Sequence, residues 1–281
     1  MLKIIGKQFD KEREFYDQHD FTLEKCEFKG PEDGESALKE CSNVNINNSL
    51  FDLRYPIWHC DNVSFKDSEM TPNCRAALWY SNNINIDNSK LLGIKAVREC
   101  KDVNITNSKI DSPEFGWKSS KLNFENCEVV SEYFLLEVIN SSLKSTKFKG
   151  KYSFQYTKDI TIEDCELDTK DAFWHSENVV VKNSIVKGEY LGWYAKNLTF
   201  IDCTIIGTQP LCYCENLVLK NCKMIDTDLA FENSSVHAEI IGTVDSVKNP
   251  LSGEIIADGY GEIIRDNNKY GQHGKITIRG K

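Results

Sequence analysis

Seven residues with acidic, basic or aromatic side chains recur at a constant interval of 19 residues along the chain: Glu99, Lys118, Glu137, Tyr156, His175, Tyr194 and Tyr213. If that interval brings them one above another, aromatic rings stand beside acid–base groups on a single surface. Such a surface can stack sugar rings and transfer protons. The candidate catalytic residues are then Glu137, His175 and Lys118. The alternative is a stabilising row, in which Lys118 lies between two carboxylates and the rings stack on one another.

Tryptophans occupy the position directly before this series, as at Trp174 and Trp193. Indoles that face outward would offer a platform for carbohydrate, whereas indoles that face inward would pack the core. Successive side chains of an extended strand point to opposite faces. Because the charged members of the series require water, we expect the series outside and most tryptophans inside. The candidate binding residues are Glu99, Tyr156, Tyr194, Tyr213, Trp193 and Trp174.

Eleven cysteines could indicate a metal site, a disulfide framework or simple packing. Nine of them lie at two recurring positions that otherwise hold small residues such as Ser and Thr. Such positions call for a small buried side chain, which a free thiol supplies. Only the pair Cys212 and Cys214, near Cys222 and Cys203, is spaced so that it could ligate a metal, and no histidine is grouped with it. We therefore predict no metal site and no cofactor.

These residues are positioned by a nine-residue pattern that recurs eleven times, as in residues 197–205. A typical copy begins with Asn or Asp, has apolar residues at positions two, four and nine, Asn or Asp at six and a small residue at seven. Copies begin at Asp20, Asn43, Asn62, Asn83, Asp102, Lys121, Asn140, Asp159, Asn178, Asn197 and Asn216. Eight of the ten intervals are 19 residues long, as from Asn178 to Asn197. A fixed period in this range is typical of a solenoid.

The pattern predicts an all-β fold. Alternation at positions two and four indicates a strand, and Asn or Asp at position six tolerates the left-handed backbone that turns one strand into the next. A further strand fits between copies, so that three parallel strands form each coil. We predict a single-stranded, right-handed parallel β-helix of about eleven coils of about 19 residues. One domain covers 1–281, with an N-terminal cap (1–19), coils (20–233) and a C-terminal cap (234–281) in which a hairpin could form.

Charge and hydropathy exclude several classes of function. The net charge is −9 and no run of Lys or Arg occurs, which argues against nucleic acid or an anionic membrane as a partner. No stretch approaches membrane-spanning length, and the first residues are too short an apolar run for a signal peptide. We expect a soluble cytoplasmic protein, for which a homo-oligomer remains open.

The chain resembles an uncharacterised bacterial family of short-coil, right-handed β-helix proteins that are similar to the pectin lyase-like superfamily. The resemblance is carried by residues 34–40, 189–194, 209–214 and 245–250 and by the Asn-x-x-x-x-Asp-Cys coils. It implies the fold and little chemistry, because that family has no established activity. Some members carry a hydrogenase label, which the cysteine positions do not support. The clustered Asp residues of the superfamily's lyases and polygalacturonases have no residue-by-residue match here.

Three hypotheses of function follow. The first is binding or processing of a carbohydrate along the face of Glu137, Tyr156, His175 and Tyr194, with an oligosaccharide as the partner. The second is a non-catalytic scaffold whose flat sides bind protein. The third, less favoured, is a redox or metal protein built on Cys212, Cys214 and Cys222. Whether the protein is an enzyme stays open on the sequence alone.

Overall fold

The computed structural model describes residues 2–267, 270–271 and 273–280. The predicted caps also include five residues that lie outside the described ones: Met1, Asn268, Lys269, Gln272 and Lys281. The chain divides into two compact units, Met1–Ser142 and Leu143–Lys281. The described residues form strands, turns and bends, and no helix among them could cross a membrane.

Short strands make up both units. Up to residue 132 they are β1 (Leu2–Ile5), β2 (Gln8–Phe9), β3 (His19–Glu24), β4 (Glu27–Phe28), β5 (Ser42–Asn47), β6 (Leu50–Phe51), β7 (Ile57–Trp58), β8 (Asp61–Lys66), β9 (Glu69–Met70), β10 (Leu78–Trp79), β11 (Asn82–Asp87), β12 (Lys90–Leu91), β13 (Val97–Arg98), β14 (Lys101–Thr106), β15 (Lys109–Asp111), β16 (Ser120–Glu125) and β17 (Glu128–Glu132). From residue 139 onward they are β18 (Ile139–Lys144), β19 (Lys147–Lys151), β20 (Lys158–Glu163), β21 (Glu166–Asp168), β22 (Glu177–Lys182), β23 (Ile185–Lys187), β24 (Lys196–Ile201), β25 (Thr204–Ile206), β26 (Leu217–Ile225), β27 (Ser235–Ile241), β28 (Thr243–Lys248), β29 (Ser252–Ala257), β30 (Gly259–Ile264) and β31 (Lys275–Ile278).

Each strand pairs in parallel with the corresponding strand one coil further on. In the first unit β3, β5, β8, β11 and β14 form one such series, and β4, β6, β9, β12 and β15 form a second. In the second unit β20, β22, β24 and β26 do the same, as do β21, β23 and β25. The third strand of the predicted coil is short: it is limited to β7, β10 and β13 among the described residues. The predicted parallel β-helix is confirmed.

The solenoid has about 14 turns of about 19 residues, more than the eleven that the sequence pattern revealed. One turn precedes the recognised copies, because β1 and β2 pair in parallel with β3 and β4. Others follow them: β27 pairs with β26, β29 with β27 and β31 with β29, while β28 pairs with β30. All of these pairings are parallel, so the described strands after residue 233 extend the stack and form no hairpin.

The repeated positions do what the pattern predicts. Leu198 and Phe200, at positions two and four of one copy, have no exposed surface. Position six is left-handed, with φ of 51° at Asn107 and 55° at Asn126. The same amides bond along the stack, since Asn126 Nδ2 donates to Asn107 Oδ1 at 2.8 Å. Asn and Asp therefore both make the turn and tie neighbouring coils together.

The tryptophans lie at the surface, so their predicted inward orientation is wrong. The partly exposed residues are Trp58, Trp79, Trp117, Trp174 and Trp193. Phe173, directly before one of them, is fully buried. The prediction assumed strand alternation through three successive residues, but the third is left-handed, with φ of 54° at His175. A left-handed residue breaks the alternation, and the side chains at the second and third positions therefore both point outward.

All eleven cysteines are free and buried. Their sulfur atoms donate to backbone carbonyls, as from Cys203 to Ile201 at 3.2 Å and from Cys214 to Gly192 at 3.0 Å. Within the described part of the chain, no group of three or more His, Cys, Asp or Glu is arranged to hold a metal ion. The cysteines thus fill small core positions, as the two recurring positions predict.

These thiols give a prediction about pH. Burial raises the pKa of Cys100 from 9.0 to about 11, and it does the same at Cys165. The unfolded chain therefore releases these protons before the folded chain does. Stability is complete below the unfolded value and declines as the pH rises from about 9 to about 11, by about 1.4 kcal/mol per pKa unit and thiol.

Urea unfolding at pH 7, 9 and 10.5 measures that decline, and Cys100→Ala should show a smaller one. A thiol reagent should find no reactive cysteine in the native protein at pH 8. Rapid labelling of the folded chain would contradict the assignment of these thiols to the core.

Candidate binding surface

Four rings of the second unit stack on its surface into a series that we call the aromatic row: Tyr156, His175, Tyr194 and Tyr213. Successive ring centroids are 4.9, 5.0 and 4.9 Å apart, and successive planes differ by 9°, 6° and 12°. Tyr156 and Tyr194 are 54% and 44% exposed. His175 is also exposed and Tyr213 is half-buried. Because neighbouring rings cover each other's faces, the row presents mainly the edges of its rings to solvent. A ligand meets these ring edges rather than open faces on which a sugar could stack.

The backbone fixes the direction of every ring in the aromatic row. The four residues are left-handed, with φ between 54° at Tyr156 and 60° at Tyr194. For a bulky residue this conformation costs about 1–2 kcal/mol. Backbone hydrogen bonds hold it, from Tyr156 N to Trp174 O at 2.9 Å and from His175 N to Trp193 O at 3.0 Å. The row is therefore ordered before a ligand arrives, which lowers the entropy cost of binding.

Two tryptophans brace the aromatic row from the side. The rings of Trp174 and Trp193 are 5.5 Å apart and parallel within 7°. Their Nε1 atoms donate to backbone carbonyls, to Tyr190 O at 2.6 Å and to Gln209 O at 2.8 Å. Trp193 also packs edge to face against Tyr213, with centroids 5.5 Å apart. Since the indole N–H groups are engaged, the tryptophans contribute apolar surface and rigidity to the site.

A closely packed floor lies under the row. Phe154 and Phe173 are fully buried and stack 5.0 Å apart. The equivalent position in the next coil is Gly192, at φ 74°, where a Cβ would lie 2.9 Å from Leu211 Cδ2 and 3.0 Å from Leu198 Cδ2. Glycine suits both the left-handed backbone and the narrow space at this point.

An ion pair closes one end of the aromatic row. Glu232 follows Tyr213 in the stack, with Tyr213 N donating to its carbonyl at 2.7 Å, and its carboxylate lies 3.1 Å from Lys248 Nζ. Burial and the Glu232 carboxylate raise the pKa of the Tyr213 phenol. The sequence reasoning missed Glu232 and Lys248. Glu232 follows Tyr213 at the same interval that separates Tyr213 from Tyr194, so the series itself could have revealed it.

The charged candidates Glu99, Lys118 and Glu137 belong to the first unit. Glu99 accepts a hydrogen bond from Arg98 Nε at 3.2 Å. Burial acts to raise the pKa of Glu99, but hydrogen bonds from Tyr80 and Arg98 outweigh it and bring that pKa below its usual value. Lys118 and Glu137 are exposed, and neither forms an ion pair with another described residue. The proposed arrangement of Lys118 between two carboxylates is therefore not formed.

A second aromatic cluster lies in the first unit and was not among the candidates: Trp58, His59, Trp79 and Tyr80. The two indoles are 5.8 Å apart, and the imidazole and phenol are 5.1 Å apart. Cations cover this cluster, since Lys39 Nζ lies 4.5 Å from the Trp58 ring and the Arg98 guanidinium 5.7 Å from Trp79. His59 and Tyr80 occupy the recurring position of the aromatic row, and Trp58 and Trp79 occupy that of Trp174 and Trp193. These shared positions were the available signal.

The aromatic row offers hydrogen-bonding groups to a ligand. A general acid or base needs a partner that orients it and sets its pKa. His175 lies between two tyrosine rings, and no carboxylate among the described residues is paired with it. Phenol and imidazole groups both donate and accept hydrogen bonds. The row is thus suited to a ligand that does the same.

Residues 3–279 match the family described as Protein of unknown function (DUF3737). The chain belongs to the DUF3737 family. This confirms the family resemblance that the coils and the segments between them indicated. No curated protein matches this DUF3737 chain.

Several solved structures are similar to this DUF3737 chain at low identity. PfbA, a surface adhesin of Streptococcus pneumoniae, is 12% identical with a TM-score of 0.47, over 85% of this chain and 82% of that one. The A-module of mannuronan C-5 epimerase AlgE4 from Azotobacter vinelandii is 11% identical with a TM-score of 0.34, over 83% and 78%. The catalytic domain of a GH87 α-1,3-glucanase is 9% identical with a TM-score of 0.27, over 100% and 58%. At these values the activities of the three proteins do not transfer.

Proposed function

We propose that this DUF3737 protein binds a neutral oligosaccharide along the aromatic row. The observation that carries the proposal is the series of four stacked phenol and imidazole rings at the surface, one per coil, at ring spacings of 4.9–5.0 Å. A repeating series of hydrogen-bonding tips suits a ligand that itself repeats hydroxyl groups along its length. Saccharide hydroxyls match phenol and imidazole groups, since each of these can donate and accept.

The charges near the aromatic row favour a neutral ligand. The row contains three phenols and one imidazole. The charged residues two positions further along the chain neutralise each other, Lys158 with Glu177 at 3.3 Å and Lys196 with Glu215 at 3.2 Å, and the ion pair of Glu232 and Lys248 lies at the end of the row. An acidic ligand would find no guanidinium or ammonium group within the row to neutralise it. The exposed ring edges of Trp174 and Trp193 add apolar area, which the C–H groups of a sugar can cover.

Binding without catalysis is the more specific form of this proposal. His175 has no orienting carboxylate, and the candidate groups Lys118 and Glu137 belong to the first unit, where each is exposed. A protein ligand is the alternative, because tyrosine and tryptophan are common at protein interfaces. The polar tips favour the saccharide, since a protein hot spot relies on aromatic groups buried in pockets.

Replacing Tyr194 by alanine is expected to weaken oligosaccharide binding about tenfold or more. The change removes one hydrogen-bonding tip and the ring that covers His175 and Tyr213, which together are worth about 1.5–3 kcal/mol. Binding would first be found on an array of neutral oligosaccharides and then measured by isothermal titration calorimetry. Tyr194→Phe separates the two contributions, because it keeps the ring and removes the hydroxyl.

Tyr80→Ala is the matched control. Tyr80 has the same side chain, a similar exposed fraction (39%) and the same left-handed backbone, but it lies outside the aromatic row. The proposal fails if no neutral oligosaccharide binds, or if Tyr194→Ala and Tyr80→Ala bind equally well. A protein partner that depends on Tyr194 would support the scaffold hypothesis instead.

A further inference from the structure

The first coil leaves the apolar interior of the first unit open at one end. Leu2 is 66% exposed, whereas its partner one coil on, Phe21, is 2% exposed. Phe9 is half-buried, whereas its partner Phe28 is 1% exposed. Residues that fill the core in every following coil are thus uncovered in the first. We call this surface the end face: Leu2, Ile4, Phe9 and Phe15.

The backbone of β1 is open on the same side. β1 pairs in parallel with β3, and no other strand of the described residues pairs with β1. Its remaining N–H and C=O groups are a template for another strand. A partner that covers the end face must therefore bring both apolar surface and a free strand edge. The first coil of a second copy offers both.

Charge distinguishes a second copy from an arbitrary partner. The whole chain has a net charge of −9, so most of its surfaces repel one another. Residues 2–17 carry four cations (Lys3, Lys7, Lys11 and Arg13) and four anions (Asp10, Glu12, Glu14 and Asp17), and the sum is zero. The signs alternate along residues 10–14, so opposite charges can meet when two such segments face each other.

We propose that the end face joins two copies of this chain head to head, with the two β1 strands antiparallel about a two-fold axis. Each β1 then supplies the edge that the other lacks, and the half-buried rings of Phe9 and Phe15 become covered on both sides. A two-fold contact uses each end face once, so the assembly closes as a dimer and does not grow. This interface is independent of the oligosaccharide proposal, since it uses no residue of the aromatic row.

Sedimentation equilibrium of the full chain tests the proposal. We expect the mass of a dimer at micromolar concentration, and at least about a tenfold higher dissociation constant for Leu2→Lys, because the change places a charge at the apolar position that the second copy would cover. Val130→Lys is the control: Val130 is also exposed (46%, compared with 66% for Leu2) and lies away from the end face. The control should remain a dimer.

The double variant Lys11→Glu/Arg13→Glu provides a second test with exposed side chains alone. It changes the charges of residues 2–17 from four cations and four anions to two cations and six anions. The added repulsion should raise the dissociation constant of the dimer, and high salt should lower that constant again. Circular dichroism of every variant establishes that it is folded. A monomeric native chain, a dimer that survives both changes, or a mass that keeps rising with concentration would overturn the proposal.

Discussion

Replacing Gly253 by alanine should destabilise the protein by on the order of 4 kcal/mol, more than any change to an exposed side chain. Gly253 has φ 89°, and a Cβ there would lie 2.0 Å from the carbonyl oxygen of Val236 on the paired strand β27. That oxygen belongs to the backbone of a parallel ladder, so it cannot rotate away as a side chain would. The strands β27 and β29 would have to separate at this point. Urea unfolding followed by circular dichroism measures the loss.

Gly242→Ala is the matched control for Gly253→Ala. Gly242 has nearly the same backbone angle, φ 90°, but a Cβ there meets no atom within 4 Å. Its substitution therefore tests the left-handed backbone alone and should cost about 1–3 kcal/mol. Equal losses in the two variants would show that the contact with Val236 contributes nothing.

Phe173→Ala should cost about 3–5 kcal/mol by opening a cavity under the aromatic row. Phe173 is fully buried, stacks on Phe154 at 5.0 Å and meets Phe200 edge to face at 6.3 Å. The coils above and below hold these neighbours at fixed separations, so they cannot collapse into the space. The free energy of unfolding from urea titration is the measurement. Oligosaccharide binding should weaken as well, because the floor beneath His175 loses its support.

His175→Ala is the control for this substitution. His175 lies just after Phe173 on the same turn but is exposed, so its replacement should change stability by less than about 1 kcal/mol. A loss of stability at Phe173→Ala no larger than at His175→Ala would contradict the assignment of Phe173 to a packed floor.

The recurring pattern predicted the parallel coils because one physical requirement acts on each position in every coil. Position four must be apolar since it points into the stack, and position six favours Asn or Asp since the backbone there is left-handed. The coils after residue 233 escaped notice because their spacing changes. Ser235 pairs with Ser252, which is a shorter step than the regular interval, and Glu254 pairs with Lys275, which is a longer one. A search for a single fixed period cannot detect such coils.

The orientation of the tryptophans could not be derived in the same way. Strand alternation is a reliable guide while the backbone stays extended, but His59 and Tyr80 are left-handed with φ of 55° and 52°. The residue types do not predict the left-handed backbone at these positions, because histidine and tyrosine are not typical left-handed residues. The constant interval predicted the aromatic row, and stacking of its rings was one of the two arrangements that the sequence left open. The ring spacings and angles required coordinates.

The parallel indoles of Trp174 and Trp193 have one more consequence. Two identical chromophores held 5.5 Å apart share their electronic excitation, and the emitted light depends on their spacing and on the water around them. Trp193 also packs against Tyr213, so its emission should respond to a ligand that binds beside these two rings. Under the proposed function, tryptophan emission should therefore change on oligosaccharide binding, above the background from Trp58, Trp79 and Trp117.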